Sequence, residues 1–307
     1  VLKRDWRKFK MEYLIHILIM IGIYMVLIYS LNLLIGYSGL LSLCHAAFYG
    51  IGAYAFTLLS IKLNLSFFYA LFFSIIITGI IAFLVGIPAT RLRGDMFVLV
   101  TIGFQIIIFT ILYNSIPITR GPYGIPGIPR PFLSFLPFRS KIGIEIEELP
   151  EYLFLIFITD LIFVFLLFII YKSPFGLALK SLREDERAAQ ALGKASYKYF
   201  LYSFIIAGSF SSISGSLYAS YITYIDPTSF TLSESFFQVA ILLLGGSGNI
   251  KGPFFGLIFM IIFPEILRFL GLPDTIAPNV RQIIYGFSLL ILMFVRPKGF
   301  FGEYEIK

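Results

Sequence analysis

One cysteine and two histidines in 307 residues leave little material for metal or nucleophile chemistry. Cys44 alone cannot form an intrachain disulfide, and a cysteine metal cluster is excluded. His45 adjoins Cys44, but neighbouring residues on a helix point in different directions, so the two are not expected to act as a nucleophile–base pair. The chain has no HExxH, no GxSxG and no GxxxxGK[ST] phosphate loop. No catalytic residue, no metal site and no cofactor bound by this chain is therefore expected. Nucleotide hydrolysis by the P-loop route is excluded for this chain by itself.

Charge is equally scarce. Only 13% of residues are Asp, Glu, Lys or Arg, about half the quarter usual in soluble domains. In their place stand 58% hydrophobic residues and a mean hydropathy of +0.90. Six segments are apolar over roughly the 20 residues that a bilayer core requires: Tyr13–Ile35, Ser66–Ile87, Met96–Tyr113, Tyr152–Tyr171, Phe200–Tyr221 and Val280–Val295. The sequence reads as an all-α polytopic membrane protein, one transmembrane domain over residues 1–307. The net charge of +7 does not indicate nucleic acid, because the basic residues sit between the apolar segments.

Two further regions are apolar but interrupted. Tyr37–Ile61 is punctuated by Gly36 at its edge, Gly39, Gly50 and Gly52 and made polar by Ser38, Ser42 and His45. Phe236–Leu270 is broken at LGGSGNIKGP (244–253). Broken helices at membrane depth are tolerated where their backbone is buried in protein or lines a polar path. Close packing through small residues is the plainer reading. On the path reading, Ser38, Ser42 and His45 are the first candidates for the translocation route, with Thr101 and Gln105 next. Their polar groups could replace part of the water lost by a zwitterionic solute.

Charge bias sets the expected sides. Residues 1–10, Arg91–Arg93, Lys172–Lys198 and Arg296–Lys307 hold five, two, six and three Lys or Arg, 16 of the 24 in the chain, and are expected in the cytoplasm. Residues 1–10 would then flank an uncleaved first span, and both termini would be cytoplasmic. Residues 114–151, with basic and acidic residues offset, are placed outside. Within them, Ser115–Pro137 carries six prolines and three glycines, which disfavour helix or central strand and suggest an ordered outer cap. Parity then requires each interrupted region to cross an even number of times, giving about ten transmembrane or half-membrane helices.

The segment SPFGLALKSLREDERAAQALG (173–193) is a charged island between two apolar spans. Arg183–Leu192 lacks Gly and Pro and is expected to form a short helix, with Glu184, Asp185 and Glu186 favouring its start and Gly193 stopping it. Ala188, Ala189 and Leu192 would form a small apolar face for a soluble partner. A solvated loop is the plainer alternative. Asp160 is a carboxylate within a span, either paired inside the bundle or serving an autonomous ion-coupled carrier.

An ordered set of motifs adds a resemblance. GYSGLLSLCHAAFYGIGAY (36–54), RLRGDMFVLVTIGF (91–104), RGPYGIPGI (120–128), the 173–193 segment, GSLYASYITYIDPTSF (215–230), LLLGGSGNIKGPFFG (242–256) and RPKGFFG (296–302) resemble the LivM-type permease subunit of branched-chain amino-acid ABC importers. The resemblance implies a type II importer-like fold in the inner membrane of a prokaryote. It also implies a homologous second permease, two ABC ATPases that use ATP and Mg, and an external substrate-binding protein. Branched-chain amino acids are the implied cargo, with urea or short amides as the alternative. By motif, Arg183, Glu184, Asp185, Glu186, Ala188, Ala189, Leu192 and Gly193 are implied to dock on the ATPase. Two departures stand out: Arg120 where the family commonly has a small residue, often glycine, and Cys44 where glycine is common.

Overall fold

A computed structural model describes residues 2–133, 144–145, 148–268, 286–287 and 299–302. Helix α1 (Leu2–Asn32) continues as a π-helical turn over Leu33–Tyr37, and the chain then runs without regular helix to Cys44. Helices α2 (His45–Lys62), α3 (Phe67–Ala89) and α4 (Asp95–Asn114) follow. Next come α5 (Ile116–Thr119), a 3₁₀ turn at Gly121–Tyr123 and three two-residue strands, β1 (Ile125–Pro126), β2 (Phe132–Leu133) and β3 (Ile144–Glu145). The second half holds α6 (Leu149–Lys172), α7 (Pro174–Glu184), α8 (Glu186–Ala191), α9 (Ser196–Ile222), β4 (Tyr224–Ile225), a 3₁₀ turn at Pro227–Phe230, α10 (Leu232–Gly245) and α11 (Lys251–Arg268). The sixth expected span, Val280–Val295, lies almost wholly outside the described residues.

Among the described residues, five helices are long and apolar enough to cross a bilayer: Met11–Tyr37, Phe67–Ala89, Asp95–Asn114, Leu149–Lys172 and Ser196–Ile222. Phe72, Leu84, Leu99, Ile107, Phe157, Leu161 and Phe165 project from α3, α4 and α6. Large exposed apolar side chains of this kind form a surface suited to lipid, not to water.

Helix α2 packs mainly against α9 and α3. It can do so because both crossing partners thin out where they meet. A Cβ on Gly215 would lie 2.1 Å from the Tyr49 carbonyl oxygen, and one on Gly52 would lie 2.3 Å from Ser212 Cα. The serines of α9 pack here at little cost, because their hydroxyls bond back to their own helix: Ser211 to the Gly208 carbonyl at 2.8 Å, Ser216 to that of Ser212 at 2.9 Å. Small-residue packing therefore accounts for Gly52 of the first interrupted region.

The proline-rich outer segment departs modestly from expectation. It contains the four-residue α5, and β1 pairs antiparallel with β4 through Ile125–Ile225 and Pro126–Tyr224. Arg120 closes α5 in the left-handed region, at φ +60. That conformation explains why a glycine-like residue suits the position, since left-handed backbone costs about 1–2 kcal/mol for a residue with a Cβ.

The sides of the bundle correct the expected topology. Early in α1, His16 Nδ1 is 2.6 Å from the Tyr221 hydroxyl at the end of α9. At the far end of α1, Arg183 donates to the Gly36 carbonyl, and Lys180 Nζ lies 5.0 Å from the centre of the Tyr37 ring. The start of α1 therefore shares an end with the outer segment, and the charged island lies at the opposite end. The expectation that residues 1–10 and 172–198 face one side does not hold. Its physical origin is plain: Ser38–Cys44 turns back into the bundle without crossing, so the first interrupted region contributes one helix and an odd count. Charge bias carries no information about such a turn.

Cys44 is buried, so labelling of the native chain will be low. With an impermeant maleimide, Glu12→Cys is expected to react from the same side as Tyr123→Cys and from the side opposite to Leu192→Cys. Labelling of Glu12→Cys and Leu192→Cys from one side would contradict the fold.

Candidate functional site

The charged island folds as two helices, not the single helix expected over Arg183–Leu192. Pro174 occupies the first turn of α7, and the Ser173 hydroxyl accepts from the Gly176 N–H at 3.3 Å. The break falls at Asp185, whose backbone is extended (φ −146, ψ 100). Its Oδ1 accepts from the Ala188 N–H at 3.0 Å, capping α8. Gly193 ends α8 at φ +83, with Lys194 N–H bonded to the Ala189 carbonyl at 3.1 Å. Asp185 and Glu186 thus sit where the helix dipole favours them, at the start of a shorter helix than expected, whereas Glu184 ends α7.

The same geometry separates the expected docking residues into two groups. Glu184, Asp185, Ala188, Leu192 and Gly193 are exposed, with Leu192 at 81%. Ala189 is 4% exposed and packs inward, so Ala188, Ala189 and Leu192 do not form one apolar face. Arg183 and Glu186 also turn inward, as latches.

Glu186 is held by Arg93, which sequence reasoning placed in the α3–α4 turn without a partner. Arg93 Nε donates to Glu186 Oε2 at 3.0 Å and Nη2 to Oε1 at 3.0 Å, a two-pronged pair. The guanidinium carbon lies 4.4 Å from the centre of the Phe200 ring, and Nη1 donates to the Leu92 carbonyl at 3.0 Å. The guanidinium holds the Glu186 carboxyl below the usual carboxylate range. Arg183 makes the second latch. Its guanidinium donates to the Gly36 carbonyl, and its stem covers Gly39, where an added Cβ would lie 2.8 Å from Arg183 Cγ. Gly39 itself sits at φ +70, so glycine is needed there twice over.

The latch thus grips the start of the broken segment. Ser38, Ser42, His45, Thr101 and Gln105 are all buried and hydrogen-bonded. Ser38 Oγ donates to Ser203 Oγ at 3.0 Å, and Ser42 Oγ lies 3.3 Å from Cys44 Sγ. His45 Nε2 is 2.9 Å from Ser30 Oγ. Thr101 Oγ1 accepts from the Leu43 N–H at 3.2 Å, and Gln105 Oε1 accepts from that of Ala47 at 2.7 Å. The first satisfies a backbone donor just before α2, and the second adds an acceptor to the first turn of α2, where the Ala47 N–H also reaches the Cys44 carbonyl. In this conformation the five hold the broken segment in place.

Sequence reasoning also missed Asn32 and Glu234. Asn32 Oδ1 accepts from the Gly248 N–H at 3.1 Å and its Nδ2 donates to the Asn249 carbonyl at 2.9 Å, tying the second break to the end of α1. Glu234 Oε1 accepts from the Tyr24 hydroxyl at 2.8 Å and from Gln238 Nε2 at 3.1 Å. Both pairings span more than two hundred residues or sit in an unremarkable helix, and no local pattern signals them. Asp160 is buried on α6 against Gly22 of α1, where an added Cβ would lie 2.8 Å from Oδ2. Its Oδ1 has no hydrogen-bond partner among the described residues.

Residues 13–293 match the family described as the permease component of branched-chain amino acid transport systems. The chain belongs to this family. It is 34% identical over 292 residues to the high-affinity branched-chain amino acid transport system permease protein LivM of Escherichia coli, covering 90% of this chain and 67% of that one. The corresponding Salmonella typhimurium protein is 33% identical over the same shares. A guanosine ABC transporter permease protein of Bacillus subtilis, NupQ, is 31% identical over 57% of this chain. No solved structure matches. As a member of this permease family, the chain has a charged segment that is not an isolated loop. It is fastened to the α3–α4 turn through Arg93 and to the broken end of α1 through Arg183.

The Arg93–Glu186 pair is about one-third exposed on each side, so its loss should cost no more than about 1 kcal/mol. Because the Glu186 carboxyl titrates below its ordinary 4.5 when folded, its contribution is present above that pH and is lost as pH falls through the lower, folded value. Wild type is therefore expected to melt above Glu186→Gln at pH 7, with the gap closing in acid. A gap that widens in acid would contradict the pairing.

Proposed function

We propose that this chain is a transmembrane subunit of an ABC importer that carries leucine, isoleucine and valine inward. It lies in the inner membrane of a prokaryote, with the 173–193 end toward the cytoplasm and the 114–151 end outside. It works beside a homologous second permease, two ABC ATPases that bind and hydrolyse ATP with Mg, and an external substrate-binding protein. The chain itself binds no nucleotide or cofactor.

The observation that carries the reading is the exposed α7–α8 elbow, capped at both helix starts and fastened at its base to the break that follows α1. An exposed leucine beside Asp185 and Ala188 offers a soluble partner a small apolar contact with a charged rim. Movement of that partner would reach the broken segment through Arg183 without passing through a flexible linker. Ser38, Ser42, His45, Thr101 and Gln105 would then act as the hinge set that repacks during alternating access. ATP binding shifts the bundle only if the partner binds one state better than the other.

The deciding experiment is uptake of labelled leucine, urea and guanosine into proteoliposomes with both permeases, both ATPases and the binding protein. ATP-dependent leucine uptake is expected, and Leu192→Glu should reduce it at least about tenfold, the loss typical of a buried contact residue, with membrane insertion unchanged. Uptake of urea or guanosine alone would replace the cargo. Leucine transport that runs without ATPases and fails in Asp160→Asn would replace the importer by an ion-coupled carrier.

A further inference from the structure

At the end of the bundle opposite the α7–α8 elbow lies a cavity of about 240 Å³. His16, Arg130, Glu148, Tyr152, Ser220 and Tyr221 line it, with Leu149 and Ile222 as its apolar wall. Its floor is aromatic. The His16 and Tyr221 rings stack at 5.6 Å, and the Tyr152 and Tyr221 rings lie 5.1 Å apart. Tyr152 spends its hydroxyl on the Leu217 carbonyl at 2.6 Å, which fixes that floor. Arg130 and Glu148 put one positive and one negative side chain on the same small space. Its volume is below the ~300–1,000 Å³ of pockets for drug-sized ligands, and it suits a small solute with both charges.

An aromatic column leads inward from this floor. Tyr218, one turn from Tyr221 on α9, lies 5.6 Å from Tyr49, and Tyr49 lies 5.1 Å from Phe230. Tyr24 lies 6.4 Å beyond Tyr49 and donates to Glu234 at 2.8 Å. The Tyr49 hydroxyl and Gln238 Oε1 are buried with no hydrogen-bond partner among the described residues. Unused oxygen around a carboxylate suits a group bearing several N–H donors and a positive charge, as an ammonium does. Tyrosine faces on the way attract the same charge.

We propose that the outer cavity receives a zwitterionic amino acid, its carboxylate on Arg130 and its ammonium on Glu148, and that Glu234 is the ammonium's next partner beyond Tyr49, Tyr218 and Phe230. This rests on the importer reading and names where its cargo enters. Charge separation over two rim residues selects for an α-amino acid over urea or a nucleoside, neither of which carries both charges. The closely packed Tyr49, Tyr218 and Phe230 rings separate the outer cavity from Glu234 in this conformation.

Equilibrium binding of radiolabelled leucine to the purified complex of both permeases and both ATPases, without binding protein, tests it. Wild type is expected to bind saturably, and Arg130→Gln and Glu148→Gln each to weaken binding at least about tenfold, the loss of one charge-assisted contact. Competitors separate the two roles. 3-Methylbutylamine should compete in Arg130→Gln but not in Glu148→Gln, and 4-methylpentanoate should do the reverse. Glu234→Gln should keep outer binding and lose uptake. Absence of saturable leucine binding, or affinities within about twofold of wild type in both rim variants, overturns the site. If ATP-driven leucine uptake persists beside those results, the importer reading stands and this site alone falls. If wild type takes up no leucine, the importer reading itself fails.

Discussion

Backbone polar groups at membrane depth have no water to turn to, and this fold depends on how it satisfies them at two helix breaks. Each group left unpaired would cost about 1–3 kcal/mol. The end of α1 answers for both breaks. Asn32 accepts from Gly248 N–H and donates to the Asn249 carbonyl, and the Tyr29 hydroxyl donates to the Ile250 carbonyl at 2.7 Å. Four residues on, the Gly36 carbonyl takes the Arg183 guanidinium. A Cβ on Gly36 would stand 2.6 Å from the Gly248 N–H, so only glycine lets the two breaks meet. The π-helical turn over Leu33–Tyr37 widens the helix where these partners converge.

That junction places three elements in one rigid contact. The first break carries Ser38 to Cys44 back into the bundle, the second connects α10 to α11, and the elbow of α7 and α8 enters through Arg183. Phe300 and Phe301 close the same end by donating their N–H groups to the Leu244 and Gly245 carbonyls, both at 3.0 Å. Small displacements of the elbow therefore act on both broken segments together. Packed interfaces of this kind switch between discrete arrangements and do not deform continuously. On the other side, the aromatic column from Tyr221 to Glu234 runs through α1, α2, α9 and α10, the helices that such a switch would move against one another.

Much of this was legible in the sequence, and the failures have physical causes. Apolar runs located five long spans within a few residues, because lipid demands length and hydrophobicity of any helix that crosses it. The two glycine-punctuated regions were correctly singled out as broken. The crossing number of the first was not, because Lys and Arg counts report on loop sides and say nothing of a chain that turns back at depth. Asp185 looked like one more acid at a helix start; its capping of Ala188 splits the helix, an outcome that propensity alone cannot separate from a continuous one. Ala189 was assigned to the exposed face with Ala188, but neighbouring positions on a helix point in different directions, and α8 turns Ala189 inward. Arg93, Asn32 and Glu234 draw their roles from partners 93 to 217 positions away, and those pairings exist only once the helices have packed.

The central claim is that the elbow acts on the broken end of α1 through the Arg183 guanidinium. Arg183→Met keeps an unbranched stem over Gly39 and removes the donor to Gly36. The measurement is the ratio of leucine imported to ATP hydrolysed in the reconstituted complex. The account predicts near-normal hydrolysis and a ratio reduced at least about tenfold, as expected for loss of a partly buried charged hydrogen bond. An unchanged ratio in Arg183→Met would contradict it.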